Sequence, residues 1–156
     1  MKILGVDPGI NGAIASFDGK HLVALDIPIV KAKGRGNEVN WAALADDLDV
    51  LFGDCDHAFI EKVQARPGEG RGSGFKFGYA AGGIRGLIAG RRYPITMVPP
   101  TQWKNEMGLT SSKDYSRTRA TELFPDAASE FRLKKDNNKA EAGLIAYYGF
   151  MKLTKE

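Results

Sequence analysis

The chain has 156 residues, 43% hydrophobic and 26% charged, with a formal net charge of +3, a balance that fits a globular protein and excludes disordered and fibrous classes. This length predicts one domain, residues 1–156, with its own apolar core. Apolar runs fall short of the ~18 residues of a membrane span and the N-terminus lacks a signal-peptide layout, so we expect a cytoplasmic protein with no membrane partner. Cys55 is the single cysteine, so we expect no internal disulfide.

The first half of the chain begins with three predicted strands, at residues 2–7, 12–17 and 21–27. Asp18-Gly19 is typical of a tight hairpin between the second and third strands, and Pro28 ends the third. The segment 31–36 is polar and contains two glycines, so we expect it to be flexible. A helix is predicted over residues 41–52, where apolar residues recur at helical spacing and Asn40 can cap the first turn.

The second half alternates strands and helices. The predicted elements are a strand at 57–63, an irregular Gly- and Pro-rich segment at 64–74, a helix at 75–89, a strand at 95–98, a helix that Ser111 or Ser112 caps and that ends near Pro125, and a helix at about 138–151. A strand meander followed by strand–helix–strand crossovers predicts an α/β or α+β fold in which the five strands form a sheet with helices on its faces.

Acidic residues stand at the ends of two predicted strands and on the last helix. Asp7 ends the first strand and Glu61 lies late in the fourth, at the sheet edge where ligands bind in open α/β folds. Asn138 and Glu141 are three residues apart and share a helix face. Two carboxylates 4 Å apart repel by about 4 kcal/mol at an effective dielectric of 20. Mg²⁺ relieves that repulsion, and two such ions can activate a water against a phosphodiester, so the pattern predicts metal ligands.

Each acid also has a purely structural interpretation. Asp7-Pro8-Gly9 is favourable in a strand-ending turn. Glu61 can face solvent from an edge strand, and Asn138 with Glu141 fits a capping box at a helix start. The conjunction of acids on the first strand, the fourth strand and the last helix, beside a basic loop, favours the metal site.

Basic residues cluster in two stretches. Six of them stand against a single acid, Glu69, between residues 66 and 92, and a second set lies between residues 104 and 139. This asymmetry predicts one anion-binding surface with nucleic acid as its partner, and scattered solvated charge is the alternative. The basic residues that we assign to DNA contacts are Arg66, Arg71, Lys76, Lys104, Lys113, Lys134 and Lys135.

Four stretches of the chain resemble the RuvC family of Holliday junction resolvases, within the ribonuclease H-like superfamily. ILGVDPGINGAIA is similar to the family's first-strand motif, FIEKVQA to its fourth-strand motif, FKFGYAAGGIRGLI to the helix at its dimer interface and NKAEAGLIAYYG to its closing acidic helix. The resemblance implies an α/β, ribonuclease H-like fold with a five-stranded mixed sheet flanked by helices. It also implies a homodimer that nicks four-way DNA junctions symmetrically, with two Mg²⁺ ions (or Mn²⁺) per site and no nucleotide cofactor. It implies catalytic roles for Asp7, Glu61 and Glu141, and it places Lys104 and Lys113 where the family carries functional lysines. Lys113 would lie near the scissile phosphate, with a solvated lysine as the alternative.

The chain departs from the family pattern at two places. Relatives carry an acid or a histidine three residues before the last acid, where this chain has Asn138. Asn138 can serve as a neutral ligand, Asp136 can replace it from a non-helical segment, or residue 138 carries an inactivating Asp-to-Asn substitution. Bacterial members of the family carry an aromatic residue shortly after the glutamate of the fourth strand, where it stacks on a junction base. No aromatic residue follows Glu61 closely in this chain, so Phe75 and Phe77 are the candidates for that role.

Glycines recur at every fourth position of the predicted helix at 75–89 and just beyond it: Gly78, Gly82, Gly86 and Gly90. Each glycine inside a helix costs about 1 kcal/mol relative to alanine. The stripe therefore predicts that a second backbone approaches closely, either the equivalent helix of a partner or the protein's own sheet.

Three other functions fit parts of the sequence. The sugar-kinase, actin and chaperone ATPases share an Asp-x-Gly turn after a first strand, but they need two lobes around ATP. A related nuclease acting on RNA or on other branched DNA would have a similar sheet and similar acids. A junction-binding protein with weakened catalysis is consistent with Asn138.

Overall fold

The computed structural model describes residues 1–109 and 113–155, without the side chains of Lys113 and Asp114. Its strands are β1 (Ile3–Asp7), β2 (Ala13–Phe17), β3 (Leu22–Asp26), β4 (Ile29–Ala32), β5 (Gly36–Val39), β6 (His57–Glu61) and β7 (Ile95–Val98). Five of them form a mixed sheet in the order β3-β2-β1-β6-β7, and β4 pairs with β5 separately. In the main sheet β1 is antiparallel to β2 and parallel to β6. The predicted five-stranded mixed sheet is confirmed.

Helices cover both faces of this sheet. They are α1 (Trp41–Val50), α2 (Arg71–Gly90), α3 (Pro100–Glu106), α4 (Lys113–Leu123) and α5 (Asn137–Thr154), with 3-10 helices at Pro125–Phe131 and Lys134–Asp136. Successive side chains of β1 alternate between the two faces. Leu4 packs in the core on the α1 and α2 side, and Ile3 packs in the core on the α5 side. None of the described helices is both long and apolar enough to cross a bilayer.

Helix α5 lies directly on the central strand because Gly5 has no side chain. A Cβ at Gly5 would stand 2.2 Å from the Ala142 carbonyl oxygen and 2.3 Å from the Ala146 backbone nitrogen, which no real Cβ atom tolerates. Gly149 allows a similarly close approach to the Phe59 ring of β6. These contacts fix the start of α5 over the carboxyl ends of β1 and β6.

The segment at 31–36, which we expected to be flexible, belongs instead to the β4–β5 hairpin. Its register runs from Ile29 opposite Val39 to Ala32 opposite Gly36. Gly34 and Gly36 have φ angles of 71° and 79° at the turn, a backbone region that glycine adopts without strain. These glycines therefore build the turn of a regular hairpin, which the sequence analysis did not predict.

Two helix starts and one whole helix also differ from the sequence-based expectation. α2 begins at Arg71, since the Gly70 carbonyl accepts a hydrogen bond from the Gly74 N–H at 2.9 Å. The short α3 was not predicted, because Pro99-Pro100 indicated only the end of a strand, whereas Pro100 takes the first helical position. α5 begins at Asn137 with Asp136 as its N-cap, so the alternative of Asn138 as the cap is wrong. The proposed caps Ser111 and Ser112 lie outside the described residues.

Candidate active site

Asp7 is the last residue of β1 and is followed by a tight turn. The Gly12 N–H donates a hydrogen bond to the Gly9 carbonyl at 3.1 Å. A Cβ at Gly12 would lie 2.0 Å from the Asp7 carbonyl oxygen, and Gly9 has a φ of 141° that favours glycine. The two glycines therefore let the chain reverse immediately after Asp7 and bring Ala13 opposite it in β2.

Asp7 and Glu61 lie side by side at the carboxyl ends of two adjacent strands. β1 and β6 are parallel, with Val6 opposite Ile60, so Asp7 and Glu61 are the next residues on adjacent strands. Adjacent strands lie about 4.8 Å apart, and residues level with each other point to the same face. Both side chains lie on the face that α5 covers, because Ile3 and Phe59, at the same parity, pack in the α5-side core.

The Glu61 carboxylate is half-buried and held by a tryptophan. Glu61 Oε2 accepts a hydrogen bond from Trp103 Nε1 at 2.8 Å. Burial raises the pKa of Glu61, and the nearby Glu141 carboxylate raises that pKa further, against the lowering effects of the Trp103 hydrogen bond and the Lys104 ammonium. Trp103 and Lys104 are consecutive residues of α3, and they contact Glu61 and Glu141 respectively, so β6 and α5 bring the two carboxylates to the same part of α3.

Glu141 is buried at the start of α5, with 7% of its surface exposed. Its Oε1 atom lies 3.2 Å from the Lys104 Nζ and accepts a hydrogen bond from Ser116 Oγ, also at 3.2 Å. A buried carboxylate requires such partners, because desolvation of an unpaired charge costs several kcal/mol. We call Asp7, Glu61 and Glu141 the acidic rim.

Sequence reasoning missed two residues that hold the acidic rim in place, Trp103 and Ser116. Trp103 is fully buried on α3, so its indole N–H needs an internal acceptor, which Glu61 supplies. Ser116 is buried in the first turns of α4. A signal was present for Trp103, since a tryptophan beside the proposed functional Lys104 calls for a hydrogen-bond partner, but nothing marked Ser116 among the polar residues of α4.

The start of α5 offers two further oxygen donors. Asn138 is partly buried and lies 60° around the helix from Glu141, on the side toward β1 and β6. Asp136 is buried in the 3-10 turn before α5. Its Oδ2 accepts a hydrogen bond from the Leu133 N–H at 2.8 Å, and its Oδ1 lies 3.5 Å from the Lys139 Nζ. Asp136 therefore already has a structural role, and the first turn of α5 carries no acid.

The donor chemistry of the rim suits a hydrated magnesium ion. Within residues 1–109 and 113–155, no three His, Cys, Asp or Glu side chains converge closely enough to enclose an ion by themselves. Mg²⁺ does not need such a cage, since it keeps several waters and combines one or two carboxylates with phosphate oxygens of a substrate. The Lys104 ammonium supplies the positive charge that the carboxylates require in the protein alone.

The predicted lysines on the α3–α5 side take different positions. Lys104 points inward to Glu141, with its ammonium 5.1 Å from the centre of the Trp103 ring, so it belongs to the acidic rim more than to an outer surface. Lys134 and Lys135 are exposed in the 3-10 turn before α5. Lys113 begins α4, and its side chain lies outside the described part of the structure.

The predicted basic residues after Glu61 lie in the loop that follows β6 and at the start of α2. Arg66 is exposed in the loop that follows β6, and it is near enough to lower the pKa of Glu61. Arg71 is exposed at the first position of α2. Lys76 is exposed one turn later, and its Nζ donates a hydrogen bond to the Arg35 carbonyl at 2.9 Å.

The two predicted stacking aromatics differ in their surroundings. Phe75 is 73% exposed and stacks against the exposed ring of Tyr79, with 6.1 Å between ring centres and 28° between planes. Phe77 packs against the turn after Asp7, where a Cβ at Gly9 would lie 3.2 Å from its ring. Phe75 therefore offers an open ring face, while Phe77 supports Asp7.

The glycine stripe of α2 faces away from the protein's own sheet. A Cβ at Gly78, Gly82, Gly86 or Gly90 would meet no atom within 4 Å. The buried residues of α2, such as Ile84 and Ile88, lie on the opposite side of the helix. The structure thus excludes the protein's own sheet as the reason for the stripe. We call the stripe, with the neighbouring Phe75 and Tyr79, the glycine face.

Comparisons with known proteins point to one group. No family model matches the chain. A segment of 92 residues, 58% of this chain, is 30% identical to the chloroplastic Holliday junction resolvase MOC1 of Chlamydomonas reinhardtii, and the match spans 10% of that protein's length. Thermus thermophilus RuvC in complex with a Holliday junction superposes with a TM-score of 0.63 at 15% identity, over 99% of this chain and 97% of that one. The fowlpox virus Holliday junction resolvase gives a TM-score of 0.55 at 18% identity, over 98% and 99% of the two chains. The chain has the RuvC-type, ribonuclease H-like fold that the sequence predicted.

Proposed function

We propose that this chain is a divalent-metal-dependent endonuclease that binds four-way DNA junctions as a homodimer and nicks two strands symmetrically. One observation carries the proposal: Asp7 and Glu61 lie level at the carboxyl ends of two adjacent parallel strands, and Glu141 lies at the start of the helix packed on β1, in a fold shared with junction resolvases. The similarity to those resolvases suggests the substrate class, and the acidic rim supplies the chemistry.

In this proposal Asp7, Glu61 and Glu141 hold Mg²⁺, or Mn²⁺ in its place, with two ions per site. Such ions, when bound, activate a water and stabilise the leaving oxygen of a phosphodiester. Trp103 binds one oxygen of Glu61 and leaves the other for a ligand role. A fourth oxygen comes from the start of α5, where Asn138 and Asp136 are the two candidates.

Lys104 and Lys113 have different roles in this proposal. Lys104 lies 3.2 Å from Glu141 and lowers the pKa of Glu61, so its charge favours the ionised Glu61 carboxylate that would bind a cation. We assign Lys113 to the scissile phosphate, where an ammonium group stabilises the charge that develops during cleavage. These roles predict that replacing Lys104 weakens metal binding, whereas replacing Lys113 slows cleavage of DNA that is already bound.

DNA contacts follow the basic residues on both sides of the rim. Arg66, Arg71 and Lys76 on the α2 side would bind backbone phosphates, as would Lys134 and Lys135 beside α5. Such contacts position the DNA but carry no sequence information. Phe75, whose ring is exposed, is the residue we assign to stacking on an unpaired base at the branch point, while Phe77 supports the turn after Asp7.

The homodimer is proposed on the glycine face. Four glycines with open space above them leave a groove along α2 that admits a second helix backbone. The exposed ring of Tyr79 adds apolar area at one end of this face. Two copies of α2 packed there would place two acidic rims in one particle, as symmetric nicking of a junction requires.

The experiment that tests the proposal is the cleavage pattern of purified protein on labelled four-way, three-way and linear DNA, with Mg²⁺, with Mn²⁺ and with chelator. We expect paired nicks near the branch point of the four-way junction that depend on the divalent ion. Cleavage of an RNA-containing substrate or of three-way DNA in preference would assign a related nuclease activity. Equal cleavage of linear DNA would contradict junction selectivity.

A second candidate function is junction binding without efficient cleavage, and Asn138 favours it. An amide in place of a carboxylate removes one negative charge from the proposed metal site, which weakens cation binding. Tight junction binding with no nicks under any divalent ion would assign this function. Restored nicking in an Asn138→Asp variant would then identify the missing acid.

A further inference from the structure

The β4–β5 hairpin carries positive charge that neither the core nor the acidic rim uses. Lys31, Lys33 and Arg35 are exposed along it, against one acid, Glu38. In the part of the chain that the structure describes, none of the three basic side chains forms an ion pair. Clustered like charges repel each other, so an arrangement of this kind favours an anionic partner.

The hairpin is held at both ends. At its base the Asn40 N–H donates a hydrogen bond to the Pro28 carbonyl at 2.8 Å. At its turn the Lys76 Nζ donates to the Arg35 carbonyl at 2.9 Å, which ties the turn to the first turns of α2. A tethered hairpin presents its charges at fixed positions, so less conformational entropy is lost when it binds.

The hairpin lies at the same end of the sheet as the acidic rim. It follows the end of β3 directly, and Asp26 there is level with Ala13 and therefore with Asp7. Its turn contacts α2 near the loop that leaves β6 after Glu61. Ile27 and Val39, at its base, pack in the core on the α1 and α2 side. The hairpin thus extends the basic surface outward from the rim on the face opposite to α5.

We propose that the β4–β5 hairpin binds the phosphate backbone of a duplex DNA arm beside the active site. This inference rests on the proposed function, since it names where an arm of the junction lies. Exposed Lys and Arg side chains contact phosphates without reading bases, so the hairpin adds affinity and orientation to binding and leaves cleavage chemistry unchanged.

The test compares three proteins. The hairpin variant carries Lys31→Ser, Lys33→Ser and Arg35→Ser. The control carries Lys20→Ser, Arg92→Asn and Lys155→Ser, which removes the same charge from exposed positions at the opposite end of the sheet. Asparagine is chosen at position 92 because Arg92 has a φ of 61°, which asparagine tolerates. Thermal melts verify that all three proteins are folded.

Dissociation constants are measured for a four-way junction and for a linear duplex over a salt series. For the hairpin variant we expect affinity about tenfold or more below that of the parent on both DNAs, and a salt slope shallower by roughly 0.9 for each phosphate that the variant no longer neutralises. The control should match the parent. A charge-retaining variant with Lys31→Arg, Lys33→Arg and Arg35→Lys should restore binding, and cleavage of saturated DNA should keep its rate.

The proposal is overturned if the hairpin variant binds both DNAs as the parent does, or if the control weakens binding equally. The proposed function is judged separately, by whether the parent prefers the junction to the duplex and nicks it with a divalent ion. The two proposals can therefore fail separately. If the parent binds junction and duplex equally but the hairpin variant binds linear duplex more weakly than the parent, the hairpin proposal is supported and the proposed function is contradicted.

Discussion

The acidic rim and the glycine face of α2 differ in what holds them. Within the rim, Glu61 has Trp103 as a partner inside the chain, and Glu141 has Ser116 and Lys104. The glycine face has open space above four glycines and two exposed aromatic rings. Contacts within the chain therefore hold the carboxylates of the rim, whereas no contact within the described part of the chain accounts for the four glycines of the glycine face.

The largest expected effect comes from the rim. Asp7→Asn removes one carboxylate while keeping the size of the side chain. We expect cleavage of a four-way junction to fall about a thousandfold or more, since the charge stabilisation that a bound metal supplies is worth several kcal/mol. Junction affinity in the absence of metal should be unchanged or higher. Rates of nicking and gel-shift titrations measure the two quantities.

Asp26→Asn is the matched control for Asp7→Asn. Asp26 ends β3 at the same level as Asp7 but lies two strands away and is exposed. We expect this variant to nick as the parent does. Equal losses of nicking in both variants would show that activity depends on negative charge in this region and not on a specific site at Asp7.

Glu61→Gln should separate activity from stability. The pKa of Glu61 is raised, first by burial and then by Glu141, so the folded protein disfavours the ionised form. Glu61 therefore contributes fully to the stability of the fold below the pKa that it has in the unfolded chain. This contribution is lost as pH rises through the pKa that Glu61 has in the folded protein. The amide carries no charge and still accepts the Trp103 hydrogen bond, so we expect a higher melting temperature near neutral pH together with loss of nicking.

The pH dependence gives this prediction a second measurement. The gain in melting temperature should shrink when the melts are repeated at pH values below the ordinary range for a glutamate, where Glu61 is protonated in both states. Parent activity should fall on acidification at a higher pH than for an ordinary carboxylate, because metal binding needs the ionised form. A lower melting temperature for Glu61→Gln at neutral pH would contradict the burial argument.

A smaller effect is expected at the start of α5, where two variants assign the fourth oxygen. Asn138→Asp should increase nicking about tenfold at limiting Mg²⁺ if residue 138 faces the ion, since an acid replaces an amide. Asp136→Ala should lower stability by about 0.5–2 kcal/mol, because it removes the interactions with Leu133 and Lys139. Loss of nicking in Asp136→Asn with an unchanged melting temperature would assign the role to Asp136.

The smallest expected effect tests the glycine face. Gly82→Ala should stabilise the monomer by about 0.5–1 kcal/mol, because a Cβ there meets nothing and alanine favours a helix. The same variant should raise the dissociation constant of the dimer, measured by analytical ultracentrifugation, and Gly82→Leu should raise it further. Gly83→Ala is the contrasting variant, since its Cβ would lie 2.3 Å from the Trp41 ring and destabilise the fold. An unchanged oligomeric state in Gly82→Leu would remove this face from the dimer.

The sequence predicted the sheet well because its strands have clear apolar runs and turn signals. The strand that ends at Asp7 and the strand that carries Glu61 are where the pattern placed them. The β4–β5 hairpin was missed because its side chains are nearly all exposed, so no apolar alternation marks it. α3 was missed because a proline pair indicates a boundary without indicating which element follows.

The acids of the rim were predicted, but the residues that hold them were not. Strand ends and helix spacing are local properties, so they identified Asp7, Glu61 and Glu141 as candidates. The contacts of Glu61 with Trp103 and of Glu141 with Ser116 join distant parts of the chain and depend on how α3 and α4 pack. The orientation of the glycine stripe likewise depended on which side of α2 meets the sheet.

The absence of a side chain at Gly5 has a consequence for when the acidic rim can form during synthesis of the chain. Gly5 belongs to β1 and Ala142 to α5, so the contact between them closes only after the ribosome has released both elements. Glu141 reaches the other carboxylates through that same closure. A growing polypeptide, or one truncated before α5, therefore has Asp7 and Glu61 without Glu141, and the complete acidic rim forms only when α5 docks on the sheet.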